Sequence, residues 1–151
     1  MARFRVCRTF TVESGHMLSK HPEACRYPHG HTRRIEVVVS AESLDENDMV
    51  CDFKALKLAV GDYVQRYDHA MAANSEDPLL PALRETHPDG VVVFENRDPT
   101  TEVIAHDLFD FVSCVLREGF EGDGYRIPPG RVRLDRVRVW ETPNSWAEVE
   151  A

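Results

Sequence analysis

TRRIEVVVSAE, running from Thr32 to Glu42, sets Ile35, Val37 and Val39 at two-residue intervals, with Arg34 and Glu36 falling between them and beside them. Side chains of an extended chain alternate between its two sides, so this spacing predicts a strand with one buried face. RFRVCRTFTVES (Arg3–Ser14) repeats the pattern through Phe4, Val6, Phe10 and Val12. Between the two strands, Gly15 to Gly30 reads as a polar loop; with His31 at its exit it carries four of the seven histidines.

CDFKALKLAVGDYVQRYDH (Cys51–His69) changes period. Phe53, Leu56, Val60, Val64 and Tyr67 recur at helical steps, and Asp52 is a suitable N-cap. A proline-punctuated stretch, Ser75 to Asp98, contains VVVF as a candidate short strand. A second helix is expected after Pro99. Thr100 is its candidate cap, Glu102 lies where the helix dipole favours an acid, and Val103, Ile104, Leu108, Phe111, Val112 and Val115 form its buried stripe up to Gly119. In RVRLDRVRVWE the apolar positions slip phase at Asp135-Arg136, as a bulge would require. Strands grouped apart from helices predict one α+β domain over residues 1–151, an antiparallel β-sheet with two helices packed on one face.

The 151 residues, 42% hydrophobic and 29% charged, suit one soluble domain. A formal charge of -8 argues against nucleic acid or an anionic membrane as the main partner. No apolar run approaches the roughly 20 residues of a spanning helix. MARFRVCRTF lacks an apolar signal core, so a cytoplasmic location is expected. The cysteines, Cys7, Cys25, Cys51 and Cys114, are scattered. No disulfide framework is expected, and all but Cys25 read as small buried apolar groups.

EACRYPHGH (Glu23–His31) concentrates the chemistry. His29 and His31, two apart in an extended chain, direct both imidazoles to one side. A third histidine would complete a catalytic type of zinc site with an open fourth position. His16, at the end of the preceding strand, is the natural candidate and His21 its competitor. Cys25, four residues before His29, is a fourth ligand, a nucleophile or proton-transfer group, or an inert loop thiol. Asp68 and His69, at the exit of the first helix, form either a proton relay or a histidine complementing the helix dipole. Glu141, ending VRVWE, either marks a strand meeting water or accepts two parallel hydrogen bonds from an amidine-like edge such as that of a pterin or guanine.

In order along the chain, FTVESGHML, CRYPHGH, MVCDFKALK, YDHAMAAN, DPTTEVIA and VRVWET resemble the 6-pyruvoyl-tetrahydropterin synthase / 6-carboxytetrahydropterin synthase (QueD) family. That resemblance implies the tunnelling fold (T-fold), whose subunits join their sheets into a barrel and stack as a homohexamer, a dimer of trimers with sites between subunits. It implies Zn(2+) on His16, His29 and His31, catalysis by Cys25 with Asp68 and His69, and pterin binding by Glu141 with Thr101 and Glu102. The implied substrate is 7,8-dihydroneopterin triphosphate. The product is 6-carboxytetrahydropterin, with acetaldehyde and triphosphate, on the way to queuosine; the alternative is the 6-pyruvoyl product. A rival of another class is a non-catalytic pterin- or purine-binding protein with Cys25 closing a structural zinc site. The segment Ser75 to Asp98 is longer than in compact members and predicts an added helical turn and edge strand.

Overall fold

A computed structural model describes residues 2–151. The two predicted strands are longer than their apolar alternation indicates. β1 spans Phe4–His16 and β2 spans His29–Ala41, so both reach the histidines that bound the loop. They are antiparallel, with Val12 opposite Arg33, Ser14 opposite His31 and His16 opposite His29. α1 (Phe53–Gln65) follows, and the Asp52 side chain accepts from the Lys54 N–H as an N-cap does. Next come β3 (Met71–Asn74), α2 (Leu80–Thr86) and β4 (Val91–Phe94). α3 (Thr101–Glu118) is capped by the Thr100 hydroxyl, which accepts from the Val103 N–H. β5 (Phe120–Gly122) and β6 (Tyr125–Ile127) form a small hairpin, and β7 (Arg133–Thr142) and β8 (Ser145–Glu150) complete the chain.

The main sheet has six strands in the order β4-β3-β1-β2-β7-β8. Its β1-β2-β7-β8 part is antiparallel, as expected, but β3 runs parallel to β1 and β4 parallel to β3. The reason is the connection. β2 returns the chain antiparallel to β1 and α1 carries it back before β3 begins, so β3 runs with β1; α2 is the crossover between the parallel neighbours β3 and β4. The long segment thus forms the third helix and the β4 edge.

α1 and α3 cover one face of the sheet. Ile35, Val37 and Val39 of β2 and Val137 and Val139 of β7 pack there with Leu56, Val60, Ile104, Leu108 and Val112. Tyr63 of α1 stacks on Phe111 of α3, ring centroids 3.8 Å apart. Phe53, placed in the buried stripe by spacing, is instead exposed, and Ala55 is buried. α2 lies over the other face of the β3-β4 edge, where Leu80 joins Met17, Ala73 and Val93. The rest of that second face is polar and aromatic: Trp140 donates to Glu36 at 2.7 Å and Arg138 to Glu148 at 2.9 Å.

The phase slip is a bulge. Val38 faces Arg136 but Val39 faces Leu134, leaving Asp135 as the additional residue on β7. Asp135 accepts from Ser40 at 2.6 Å and pairs with Arg5 at 2.8 Å. All four cysteines are free thiols; Cys51 is buried and Cys114 half-buried, but Cys7 is exposed because β1 turns it to the polar face. Among the described residues no helix is long and apolar enough to cross a membrane.

Gly119 ends α3 at φ 86° and ψ 163°, a region that only glycine occupies readily. A Cβ there would lie 2.8 Å from the Pro129 ring. Gly119→Ala is expected to lower unfolding stability by at least about 2 kcal/mol in urea melts.

Candidate metal centre and active site

The register of β1 and β2 assembles the site. His16 and His29 are direct cross-strand partners, so their side chains project from the same face. His31 lies two residues along β2 and therefore shares that face. The ring centroids of His16 stand 4.5 Å from His29 and 5.1 Å from His31, and His29 and His31 are also 5.1 Å apart. One nitrogen from each of the three lies within 4.8 Å of the others. His16 and His31 bring their Nε2 atoms to 3.2 Å, close to the roughly 3.4 Å between two nitrogens bound tetrahedrally at about 2.1 Å from zinc.

The surroundings select the tautomers. His16 Nδ1 donates to the Pro99 carbonyl at 2.8 Å and His29 Nδ1 to the Tyr27 carbonyl at 2.7 Å, so both Nε2 lone pairs are free for a metal. Burial lowers the His16 pKa to about 4, with Arg33 adding to the effect. Burial, then Arg33, also lowers that of His31. Both imidazoles are neutral near pH 7, the state a metal requires. These donors fit a divalent metal ion. His21 does not join them; its Nδ1 accepts from the Glu23 N–H at 3.0 Å and braces the loop.

Glu141 borders the same centre. Its Oε1 lies 3.6 Å from His16 Nε2 and 3.7 Å from His31 Nε2, and it accepts from the Thr101 hydroxyl at 3.0 Å. Partial burial raises the carboxyl pKa. The Thr101 bond and the neighbouring basic groups, His31, Arg33 and His16, outweigh burial, and the net shift is downward. Glu102 stays exposed on the first turn of α3. A cleft of about 670 Å³ opens here, lined by His31, Arg34, Trp140 and Glu141 among others, a size that suits a small-molecule ligand.

Cys25 sits in the 3-10 turn Ala24–Arg26 and is half-exposed. Its sulfur is not one of the clustered ligand atoms, which come from the three histidines. The turn is tied back by Leu18 N–H to the Cys25 carbonyl at 2.9 Å. Asp98 anchors the loop further, accepting from Ser19 at 2.7 Å, Lys20 N–H at 2.8 Å and Asn74 at 3.0 Å.

Asp68 and His69 bond to each other at 2.7 Å, and Asp68 also accepts from the Glu13 N–H at 2.8 Å. His69 is in the left-handed region at φ 54° and lines a different cleft, with His87, Met71 and Leu83. Asp68 raises the His69 pKa, first by its hydrogen bond and then by its charge. The residue missed by sequence reading is Arg33, wholly buried beside His16 and Thr101. Its signal was available, because it keeps the two-residue phase of Ile35, Val37 and Val39 on the core face.

A sheet of this order, two helices over its inner face and three imidazoles at its rim define an α+β domain built around a candidate metal centre. The pattern of the 6-pyruvoyl tetrahydropterin synthase family matches residues 5–151. The chain belongs to that family, and is an enzyme of the lyase type. It is 29% identical to the 6-carboxy-5,6,7,8-tetrahydropterin synthase of Aquifex aeolicus (strain VF5), covering 97% of each chain. It is 29% identical to the enzyme of that name from Rickettsia bellii (strain RML369-C), over 94% of this chain and 96% of the other. An uncharacterized protein from Wolinella succinogenes shares the fold at TM-score 0.75 and 23% identity, covering 99% of both chains. The 6-pyruvoyl tetrahydropterin synthase of Plasmodium falciparum does so at TM-score 0.68 and 14% identity, covering 100% of this chain and 99% of that one. The fold is the T-fold.

Two titrations test these environments. As pH falls from 6.5 to about 4, the unfolded chain binds a proton that buried His16 refuses, so stability is lost across that window. In metal-free protein the loss is on the order of 3 kcal/mol, and His16→Gln is expected to flatten that slope in pH-dependent thermal melts. For His69 the sign is opposite: its raised value gives a contribution present below 6.5 that disappears as pH climbs through the folded value. Asp68→Asn is expected to return the His69 titration, followed by NMR, toward 6.5.

Proposed function

We propose that the protein is a zinc-dependent 6-carboxytetrahydropterin synthase. It converts 7,8-dihydroneopterin triphosphate to 6-carboxy-5,6,7,8-tetrahydropterin, acetaldehyde and triphosphate in cytoplasmic queuosine biosynthesis. The observation that carries this reading is the shared wall between the three-imidazole centre and the Thr101-bonded Glu141 carboxylate. Glu141 and, of the three imidazoles, His31 line one cleft, which supports a ligand held between a metal and an acceptor for its amidine edge. The names of the similar enzymes from Aquifex aeolicus and Rickettsia bellii support the choice of product.

His16, His29 and His31 hold the zinc, which when bound supplies Lewis acidity toward the hydroxyls of the substrate side chain. Glu141 is ionised and accepts paired hydrogen bonds from the 2-amino group and ring N–H of the pterin, with Thr101 and Glu102 beside it. Cys25 and His69 move protons between side chain and ring, and Asp68 orients His69 and favours its charged form. His69 lines a cleft other than the metal cleft of its own chain. That separation supports a homo-oligomer in which neighbouring subunits complete each site. The β4 and β8 edges are available for pairing between chains, closing sheets into a barrel and stacking trimers as a hexamer.

A second reading is the 6-pyruvoyl product, favoured by the name of the matching family pattern. A non-catalytic closed site is disfavoured by Cys25 standing outside the ligand cluster. Zinc-loaded protein is incubated with dihydroneopterin triphosphate. Acetaldehyde with a 6-carboxypterin is expected; a 6-pyruvoyl product would select the second reading, and no triphosphate release would overturn both. Cys25→Ala is expected to keep its zinc, measured by elemental analysis, while turnover falls at least about 100-fold.

A further inference from the structure

Arg33 is a cation enclosed on β2 between His31 and Ile35, with no exposed surface. Burying a guanidinium is costly unless its donors are met. Nη1 donates to Thr101 Oγ1 at 2.9 Å. Nη2 lies 3.2 Å from His16 Nδ1, which already gives its proton to the Pro99 carbonyl and cannot accept, and 3.5 Å from His16 Nε2, at the outer limit of a hydrogen bond and on the lone pair turned to the other imidazoles. Among the described residues Nε is buried with no partner. The Thr101 hydroxyl is therefore the principal acceptor for this charge.

That arrangement sets a direction. A guanidinium only donates, and a hydroxyl has one proton. Accepting from Arg33, Thr101 turns that proton to Glu141 Oε1, 3.0 Å away. The chain Arg33 to Thr101 to Glu141 cannot run backwards while the carboxylate is ionised, and each bond polarises the next. One carboxylate oxygen is thereby held, and the group presents its remaining lone pairs to the cleft in a single orientation.

We infer that Arg33 is a positioning residue for ligand binding, acting through the Thr101 hydroxyl to orient the Glu141 carboxylate that receives the amidine edge of a pterin. The inference rests on the functional reading above. A merely structural arginine would support folding but would not act through Thr101.

A double-mutant cycle on the zinc-loaded protein separates the two. Arg33→Met keeps length without donors, and Thr101→Val keeps shape without the hydroxyl. Zinc content, kcat and KM on dihydroneopterin triphosphate and the Kd for 7,8-dihydroneopterin are measured. Each single variant is expected to retain zinc and weaken pterin binding about tenfold, with KM rising by the same factor. The double variant is expected to be no weaker than the worse single, and Thr101→Ser, which keeps the hydroxyl, to bind more tightly than Thr101→Val. Unchanged binding in Arg33→Met, or losses that multiply to about 100-fold in the double variant, would overturn the inference. If Arg33→Met does not fold, the same cycle with Arg33→Lys, which lacks the guanidinium fork, decides by the same non-additivity. Wild-type protein that does not bind the pterin overturns the functional reading and this inference together. Wild-type binding that the variants match overturns this inference alone.

Discussion

The antiparallel ladder between β1 and β2, with His16 opposite His29, is the constraint on which the rest of the structure depends. A slip of one residue would turn Ile35, Val37 and Val39 out of the core and disperse the imidazoles in the same movement. Core and site are thus specified by one register. The strands meet at their histidine ends because β1 runs on through Ser14 and Gly15, whose partners are His31 and Gly30. Gly30 leaves its face open where the Ser14 carbonyl approaches, and a Cβ there would lie 3.4 Å from that oxygen.

At the end of the ladder the apolar layer gives way to polar groups, and their mutual compensation makes the site physically tenable. Neutral imidazoles stand beside a buried guanidinium, which would be repelled by imidazolium. The cation is balanced at a distance by Glu141, through the hydroxyl of Thr101 on the first turn of α3. Pro99, just before that helix, supplies the carbonyl that orients His16. The start of α3 therefore serves three groups at once, and its packing through Ile104 and Leu108 holds them against the sheet.

Much of this was legible along the chain. Alternation marked β1 and β2, the three-to-four period marked α1 and α3, and the capping residues Asp52 and Thr100 occupy the positions expected of them. The bulge at Asp135 was visible as a phase slip. The H-x-H spacing and His16 indicated the three residues whose imidazoles cluster. β8 was overlooked because Trp146 and Glu148 alternate with only two apolar positions, Ala147 and Val149. The β5-β6 hairpin was overlooked although Asp123-Gly124 is a recognised turn signal; both residues adopt positive φ, 52° and 81°. Cys7 and Phe53 were assigned to the interior by pattern, whereas their exposure depends on which face the helices cover.

The sequence by itself determined the local periods, the caps, the supply of ligating side chains and the family resemblance, because each is carried by residues near one another in the chain. Parallel pairing of β3 and β4, the side of the sheet taken by α2, and the separation of Asp68-His69 from the cleft at His31 and Glu141 were decided only by the tertiary structure. So was the assignment of Arg33 to Thr101, residues 68 apart in the chain. An arginine in phase with core valines announces that it is buried, but its partner is chosen by where α3 docks, and that depends on the packing of the whole inner face.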